Sequence, residues 1–236
     1  MKSIGIVGAM AEEIALIKEK TDIISSREIV GIEFHVGKMH GNSVVLVCSG
    51  IGKVNAAICT QALIDMYGVD YIINVGVAGA LSTELEIGDI VISSDVVQHD
   101  MDVTFLGYEP GYIFGINEIY VECDAGTRDL LIKAADSLDS VSIHVGTVAS
   151  GDQFVYKDEQ RRFITEHFNA LCVEMEGASI GHVCKMNNVP FCVVRAISDS
   201  ANDDSVISFN EFMEIAADIS THITTEYLNL ICAGKE

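Results

Sequence analysis

Short runs of β-branched and other apolar residues alternate along this chain with longer segments whose apolar residues recur at helical spacing. Six runs are apolar on both faces, which is typical of strands covered by helices on both sides; they are Ile4–Val7, Val44–Cys48, Tyr71–Val77, Ile90–Val97, Ser142–Ala149 and Phe191–Ile197. The helical spacing predicts helices over Glu12–Lys20, Lys53–Tyr67, Thr127–Leu138, Asp158–Phe168, Met175–Met186 and Phe209–Ile231. The alternation predicts an α/β fold, with a mixed but mostly parallel central sheet flanked by helices.

The chain carries no sequence signal for a division into several domains. Its 236 residues include no internal repeat, low-complexity tract or linker, and only two prolines, Pro110 and Pro190. We therefore expect one domain over residues 1–236. Gln98–Glu122 has little periodicity and is rich in Tyr, Phe and Gly. It is predicted to be a long loop, and loops of that length usually carry function.

The balance of charged residues excludes whole classes of partner. Lys and Arg total 14 and Asp and Glu total 35, which gives a net charge of −21. Nucleic acids and anionic membrane surfaces both attract basic proteins. Neither is therefore expected as a partner.

Apolar runs and cysteines indicate the cellular environment. The longest apolar region, Tyr71–Leu81, is too short to span a bilayer, and Glu12 and Glu13 come too early for the core of a signal peptide. A cytoplasmic location is therefore expected. The seven cysteines are odd in number, form no Cys-x-x-Cys pair and lie mostly in apolar runs, which favours buried reduced thiols over a zinc site.

The polar residues that follow the predicted strands are mainly carboxylates, accompanied by one arginine. They are Glu12, Glu13, Glu174, Glu176, Asp199 and Arg195. Because ligands of such sheets bind beyond the carboxyl ends of the strands, we expect these groups to converge. Several acids around one site suit a reaction that develops positive charge, such as cleavage of a glycosidic bond. A hard-cation site is the competing interpretation, although the tight Asp-x-Asp-x-Asp spacing of such sites is absent.

Glycine turns after the strands would let backbone N–H groups approach a ligand closely. Gly50-Ile51-Gly52 is not followed by the third glycine of a dinucleotide-binding fingerprint, because position 55 is Asn. A nicotinamide-dependent dehydrogenase is therefore disfavoured.

Eight segments occur together in one order: GIVGAMAEE, SGIGKVNAA, NVGVAGAL, GDIVIS, QHDMDVT, SGDQF, VEMEGASI and VRAISDSAND. Together they closely resemble the 5′-methylthioadenosine/S-adenosylhomocysteine nucleosidases of the purine nucleoside phosphorylase and uridine phosphorylase superfamily, over nearly the whole chain. The pair VEMEGA and RAISD is highly specific to this superfamily. The resemblance implies a nucleoside phosphorylase-like fold. It also implies hydrolysis of the N-glycosidic bond of both thio-nucleosides to adenine and a 5-thio-substituted ribose, with no cofactor and no metal.

The resemblance assigns catalytic roles to four residues. Asp199 matches the general acid that protonates the N7 atom of adenine, and Glu13 matches the carboxylate that positions the attacking water. Glu176 matches the residue that binds the ribose hydroxyls, and Arg195 matches the arginine near the water. Proton donation requires Asp199 to be protonated near neutral pH, and hence a raised pKa.

Ten further residues match substrate-binding positions of the resemblance. They are Ser198 beside the general acid, Met175 and Glu174 at the ribose, Phe154 stacking on adenine, Val155 reading the edge of adenine through its backbone, Met10, Ile51, Val103 and Phe209 lining the ribose and 5′-alkylthio pocket, and Ala78 in the glycine turn. One departure stands beside Ala78, because many relatives have a Ser of the water network where this chain has Val77.

Three other functions stay open at this stage. A phosphate-dependent purine nucleoside phosphorylase would need a phosphate site, and Lys53 is the one residue near the first two strand ends that argues for it. Glu12 and Glu13 would repel phosphate there. A futalosine or aminofutalosine nucleosidase would share the same acids. A non-catalytic nucleoside-binding protein would not need the full set of acids.

The resemblance also implies a homodimer, in which a loop at about Phe105–Phe114 closes the 5′ pocket of the neighbouring subunit. The loop has the apolar and aromatic residues that fit an interface: Phe105, Leu106, Tyr108, Tyr112 and Phe114.

Overall fold

The structure, a computed structural model, describes residues 2–138, 141–199 and 206–233, except for the side chains of residues 206–211, 213, 214 and 233. Its strands are β1 (Ser3–Gly8), β2 (Asp22–Ile29), β3 (Ile32–Met39), β4 (Asn42–Cys48), β5 (Tyr71–Ala80), β6 (Ile90–Gln98), β7 (Tyr120–Glu122), β8 (Ile143–Ser150), β9 (Cys172–Glu174) and β10 (Phe191–Asp199). Its helices are α1 (Ala11–Glu19), α2 (Lys53–Tyr67), α3 (Ala125–Ala135), α4 (Asp158–Phe168), α5 (Gly177–Asn187) and α6 (Val206–Ala233). Across the described part of the chain, none of the helices is both long and apolar enough to cross a membrane.

The predicted α/β fold with a mixed central sheet flanked by helices is confirmed. All six predicted strands and all six predicted helices are present, with ends that shift by a few residues. Among the pairings formed by described residues, five are parallel (β1–β4, β1–β5, β10–β5, β6–β8 and β8–β9) and five are antiparallel (β10–β6, β2–β3, β3–β4, β5–β9 and β6–β7). The sheet is therefore evenly mixed.

The unpredicted strands account for most of the antiparallel pairings. β2 and β3 form a hairpin whose turn residues, Val30 and Gly31, both have positive φ (51° and 78°), as a tight hairpin turn requires. β2 is exposed along almost its whole length, so it shows none of the apolar alternation that marks a half-buried strand. β7 and β9 have three residues each, too few for any periodicity. The predicted loop at Gln98–Glu122 is largely irregular, with a 3₁₀ turn at Thr104–Leu106 and with β7 at its end.

One half of the sheet closes on itself. β5 pairs with both β10 and β9, and the path from β10 through β6, β8 and β9 returns to β5. The other half extends from β5 through β1 and β4 to the β3–β2 edge. The closure brings the ends of β5, β8, β9 and β10 to one mouth beside the end of β1.

The core consists of apolar side chains from both halves of the sheet and from the helices that cover it. β1, β4 and β5 contribute fully buried residues such as Ile6, Leu46 and Ile73, and α6 contributes Tyr227 and Leu228. All seven cysteines are free thiols, and five of them are buried. This apolar support leaves polar side chains to face the mouth of the closed strands.

Candidate active site

A cleft with about 620 Å³ of open space lies at this mouth. The structure brings eleven of the fourteen sequence-predicted site residues to its walls: Met10, Glu13, Ile51, Ala78, Phe154, Val155, Glu174, Met175, Glu176, Ser198 and Asp199. They come from the ends of six strands (β1, β4, β5, β8, β9 and β10) and from the segments that follow them. This is the position expected for ligands of sheets with parallel strands.

Glu13 is fixed by backbone amides. It lies in the first turn of α1, and its Oε2 accepts hydrogen bonds from the N–H groups of Ala9 (2.6 Å) and Met10 (3.0 Å). Its Oε1 accepts one from the N–H of Val77 (3.1 Å) on β5. The bond from Met10, the N-cap residue of α1, is the returning half of a capping box. Burial raises the pKa of Glu13, against the opposing effects of Arg195 and the three amides.

Glu174 and Arg195 form a fully buried ion pair behind the cleft. Arg195 is 1% exposed, and its Nη2 contacts both Glu174 Oε2 and the side-chain oxygen of Asn74. Glu174 also accepts from the Ser150 hydroxyl and from the N–H groups of Glu176 (3.1 Å) and Gly177 (2.8 Å). The carboxylate thus satisfies the otherwise unpaired donors at the start of α5.

Glu176 is the carboxylate most affected by its neighbours. Its Oε1 accepts from the N–H of Gly52 (2.8 Å), and its Oε2 lies 3.8 Å from Arg195 Nη2. Burial and then the charge of Glu174 raise the pKa of Glu176 to about 7, although Arg195 opposes the shift. Arg195 itself stays charged, because Glu174, Glu176 and Glu13 raise its pKa against the effect of burial. Glu13, Glu174 and Glu176 are called the carboxylate cluster below.

Gly76 allows this cluster to form. A Cβ atom at Gly76 would lie 2.4 Å from both Arg195 Nη1 and Glu13 Oε1. No side chain fits between the guanidinium group and the carboxylate, so only glycine brings β5 this close.

Asp199 lies against Gly79 of β5, three residues along the strand from Gly76, which faces Glu13, so Asp199 occupies the other end of the cleft. Within the described residues, its carboxylate contacts one hydroxyl and one guanidinium group. Its Oδ1 lies 2.9 Å from the hydroxyl of Ser198, which also lies 3.3 Å from the carbonyl oxygen of Ala78. Its Oδ2 lies 3.7 Å from Arg161 Nη2 on α4. Burial raises the pKa of Asp199, against the opposing effects of Ser198 and Arg161. The region around Asp199, Ser198 and the nearby ring of Phe154 is called the Asp199 end.

Apolar side chains form the remaining walls. Phe154 is 57% exposed and Ile51 is 53% exposed, so both present open faces to the cleft mouth. Val155 is buried, and Met10 and Met175 also line the cleft. The cleft therefore combines a flat apolar entrance with charged groups at depth, which suits a ligand with an aromatic base and a polar sugar.

Two predicted residues, Arg195 and Val103, do not line the cleft, and the side chain of a third lies outside the described residues. Arg195 acts from behind the cleft, through the carboxylates. Val103 was expected at the pocket, but it lies just before the 3₁₀ turn at Thr104–Leu106, outside the cleft. Phe209 belongs to α6, but its side chain lies outside the described residues.

Sequence reasoning missed the groups that hold the charged residues in place. Asn74 orients Arg195, and Ser150 contacts Glu174. A signal existed for Asn74, because it interrupts an apolar strand, where a polar side chain needs a partner. Lys53 was considered for phosphate, but its ammonium group binds Asp100 Oδ1 (2.6 Å) and Gln98 Oε1 (3.2 Å).

The arrangement can stabilise positive charge at one end and donate a proton at the other. The carboxylate cluster holds three acids against one arginine, and Asp199 has a raised pKa. Within the described residues, no group of three or more His, Cys, Asp or Glu side chains is arranged to hold a metal ion.

Fold and site together define an α/β enzyme of the nucleoside phosphorylase type. A profile of the phosphorylase superfamily matches residues 3–229. The 5′-methylthioadenosine/S-adenosylhomocysteine nucleosidase of Geobacillus thermodenitrificans is 39% identical over 227 residues, which are 96% of each chain. The chain belongs to the phosphorylase superfamily.

Solved structures show which members of the superfamily this chain is similar to. The Helicobacter pylori 5′-methylthioadenosine/S-adenosylhomocysteine nucleosidase, crystallised with butyl-thio-DADMe-Immucillin-A, superposes with a TM-score of 0.92 at 36% identity, over 98% of this chain and 99% of that one. The futalosine hydrolase of Helicobacter pylori superposes with a TM-score of 0.91 at 35% identity, over 97% of this chain and 98% of that one. Within the superfamily, this chain groups with the nucleosidases, which are N-glycosidic hydrolases.

Proposed function

We propose that this chain hydrolyses the N-glycosidic bond of 5′-methylthioadenosine and S-adenosylhomocysteine, and releases adenine and a 5-thio-substituted ribose. The observation that carries the proposal is the division of charge along the cleft, with the buried carboxylate cluster at one end and Asp199 at the other. The cluster suits a sugar that becomes cationic in the transition state, and Asp199 suits a base that leaves as a neutral molecule. The named relatives support the substrate class.

At the Asp199 end, the acid protonates the N7 atom of adenine as the glycosidic bond breaks. Adenine is a poor leaving group as an anion, so this proton lowers the barrier. The raised pKa of Asp199 keeps a larger share of the carboxyl protonated near neutral pH. Ser198 orients the carboxyl through Oδ1. Phe154 stacks on the base, and the backbone of Val155 reads its edge.

At the carboxylate cluster, Glu13 positions the water that attacks the anomeric carbon. Its Oε2 already accepts two amide N–H groups, whereas Oε1 accepts only one and keeps capacity for a hydrogen bond from water. Glu13 takes a proton from the water as the new carbon–oxygen bond forms. Glu176 binds the ribose hydroxyls, and the negative charge of the cluster stabilises the cationic sugar.

Two features favour water over phosphate as the nucleophile. The cluster is anionic, and its one cation, Arg195, already contacts Glu174 and Glu176. The other cation proposed for phosphate, Lys53, is paired with Asp100, and both side chains are 17% exposed. A phosphate dianion would therefore meet carboxylates rather than unpaired cations.

The direct test incubates the purified chain with 5′-methylthioadenosine in phosphate-free buffer and measures released adenine. We expect release that added phosphate does not change, with free methylthioribose as the co-product. Release that requires phosphate and gives a sugar 1-phosphate would overturn hydrolysis. Binding of the nucleoside without turnover would favour a non-catalytic nucleoside-binding protein.

Futalosine and 6-amino-6-deoxyfutalosine are a second candidate substrate class. The similarity to the futalosine hydrolase of Helicobacter pylori favours this candidate, since it matches the nucleosidases in TM-score and identity. All these nucleosides share the ribose that the cluster would contact. A competition assay decides, because the ratio of kcat/KM values for the nucleosides gives the preferred 5′ substituent.

The proposed assembly is a homodimer in which the loop at Phe105–Phe114 closes the partner's 5′ pocket. Phe105 is 99% exposed, and Tyr108, Tyr112 and Phe114 pack against one another with ring centroids 4.4–5.3 Å apart. Such an aromatic cluster at the surface fits an interface core. It also explains why Val103, at the start of this loop, lies away from the cleft of its own chain.

Sedimentation at micromolar concentration tests the assembly. We expect a dimer, and we expect Phe105→Ser to weaken both association and turnover. Ile24→Ser is the matched control, because Ile24 is also exposed but lies on β2 at the far edge of the sheet. A wild-type monomer with full activity would contradict the dimer.

A further inference from the structure

Lys53, Asp100 and Asp152 form a closed circuit of contacts at the rim of the cleft. The ammonium group of Lys53 binds Asp100 Oδ1 at 2.6 Å. The other oxygen of Asp100, Oδ2, accepts the backbone N–H of Asp152 at 2.9 Å. The side chain of Asp152 in turn accepts the backbone N–H of Lys53 at 2.8 Å. Each member therefore contacts both of the others, and we call the three residues the clamp.

The clamp joins three segments that are far apart in the sequence. Lys53 opens α2, Asp100 follows the end of β6, and Asp152 follows the end of β8. Packing around it is tight, because a Cβ atom at Gly52 would lie 3.0 Å from Asp152 Oδ1. A Cβ atom at Gly151 would lie 2.4 Å from the His99 ring. Small shifts of one segment therefore displace the others.

Both ends of the cleft are attached directly to the clamp. On one side, the residue before Lys53 is Gly52, whose N–H holds Glu176 of the carboxylate cluster at 2.8 Å. On the other side, Asp152 is followed by Gln153, Phe154 and Val155, which line the cleft and include the residues proposed to face the base. The clamp thus sets the distance between a group that faces the sugar and the groups that face the base.

We propose that Lys53 and Asp100 are positioning residues, which hold the base-facing loop and the sugar-facing carboxylate at the separation that a whole nucleoside requires. The proposal rests on the proposed function. A nucleoside spans both walls, so its turnover depends on their separation, whereas free adenine contacts only one wall. Misplacement by about 1 Å can cost about 100-fold in rate.

Lys53→Met tests the proposal with two ligands: 5′-methylthioadenosine, which spans both walls of the cleft, and free adenine, which contacts only one. We expect kcat for 5′-methylthioadenosine to fall roughly 10- to 100-fold, while the Kd of free adenine changes less than about threefold. Lys53→Arg keeps the positive charge and should recover part of the loss. Lys185→Met is the matched control, because Lys185 forms an ion pair of similar length with Glu118 (2.8 Å) at an exposed site.

A double-mutant cycle and hydrogen exchange separate the clamp from the chemistry. Lys53→Met/Asp100→Asn should lose no more activity than the worse single variant, since both changes break one circuit. In Lys53→Met, amide exchange should rise in residues 50–56 and 150–156 together, and this measurement does not depend on turnover. Absence of turnover by the wild type would reject the proposed function alone.

Three results would overturn the clamp. The first is a Lys53→Met variant within threefold of the wild type in kcat. The second is a variant in which nucleoside turnover, adenine affinity and Tm all fall together, which would mean general destabilisation of the fold. The third is unchanged exchange in residues 150–156.

Discussion

The carboxylate cluster and the Asp199 end are built in different ways. The cluster is buried, backbone N–H groups hold each of its members, and one guanidinium group also contacts Glu174 and Glu176. Within the described residues, Asp199 is held by one hydroxyl and a more distant arginine, and it shares the cleft with a phenylalanine ring that is 57% exposed. Groups that stabilise developing charge must be fixed before the reaction begins. A group that donates a proton must lie within hydrogen-bond distance of the acceptor and must have a pKa near the working pH.

The largest expected effect on turnover is at the Asp199 end. Asp199→Asn removes the proton donor but keeps the shape, so we expect kcat to fall by about 10³- to 10⁴-fold, with adenine affinity and Tm nearly unchanged. Initial rates, adenine titration and thermal unfolding measure the three quantities. Asp129→Asn, on an exposed face of α3, is the control. An activity loss below tenfold would remove Asp199 from the chemistry.

Arg195→Met should disrupt the carboxylate cluster, and its main effect should be on the stability of the fold. It leaves Glu174 and Glu176 buried without their cation, which we expect to destabilise the fold by about 3–5 kcal/mol. Urea unfolding measures the loss. Arg27→Met on exposed β2 should stay within about 0.5 kcal/mol of the wild type. If Arg195→Met were equally harmless, the cluster would not depend on its cation.

Glu176→Gln tests how the stability of the carboxylate cluster depends on pH. The pKa of Glu176 is about 7 in the fold against 4.5 ordinarily, so between these values the folded chain binds more protons than the unfolded chain. The contribution of Glu176 to stability is therefore present below pH 4.5 and is lost as the pH rises through 7.

Glu176→Gln lacks this titration. Its free energy of unfolding, relative to that of the wild type, should therefore rise by about 1–3 kcal/mol between pH 5 and pH 8. Urea unfolding at both values measures the difference. Glu33→Gln, at an exposed carboxylate, is the control. If the difference in free energy of unfolding between Glu176→Gln and the wild type did not change with pH, the fold would not raise the pKa of Glu176.

The smallest expected effect is at Val77, which lines the cleft and whose N–H donates to Glu13. Only the N–H of Val77 contacts Glu13, and that bond survives any side chain. Val77→Ser would add one donor to the water site, so we expect kcat to rise by about two- to fivefold. Steady-state rates check this. A rise above tenfold would mean that Glu13 alone positions the water poorly.

The same contrast explains how far the sequence could predict the structure. Alternating apolar runs identified the six strands that carry the core, because burial on both faces leaves a strong pattern. β2 is exposed and β9 has three residues, so neither leaves such a pattern. Their antiparallel pairings with β3 and β5 therefore could not be predicted from the sequence.

The site was predicted unevenly for a related reason. Side chains at strand ends were found, since the topology brings such ends together. The contacts of Asn74 with Arg195 and of Lys53 with Asp100 join residues 121 and 47 positions apart. Such pairs depend on the register of packed elements, which no local pattern records. The clamp and the support of the cluster could therefore be found only in the folded chain.

The central claim is that one end of the cleft supplies the proton and the other holds the water. The most direct test compares Asp199→Asn and Glu13→Gln on two substrates, 5′-methylthioadenosine and a 4-nitrophenyl 5-methylthioriboside, whose leaving group needs no proton. We predict that Asp199→Asn is slow on the first and within about tenfold of the wild type on the second. Glu13→Gln should be slow on both. Equal losses for Asp199→Asn on both substrates, or recovery of Glu13→Gln on the second, would contradict the division of roles.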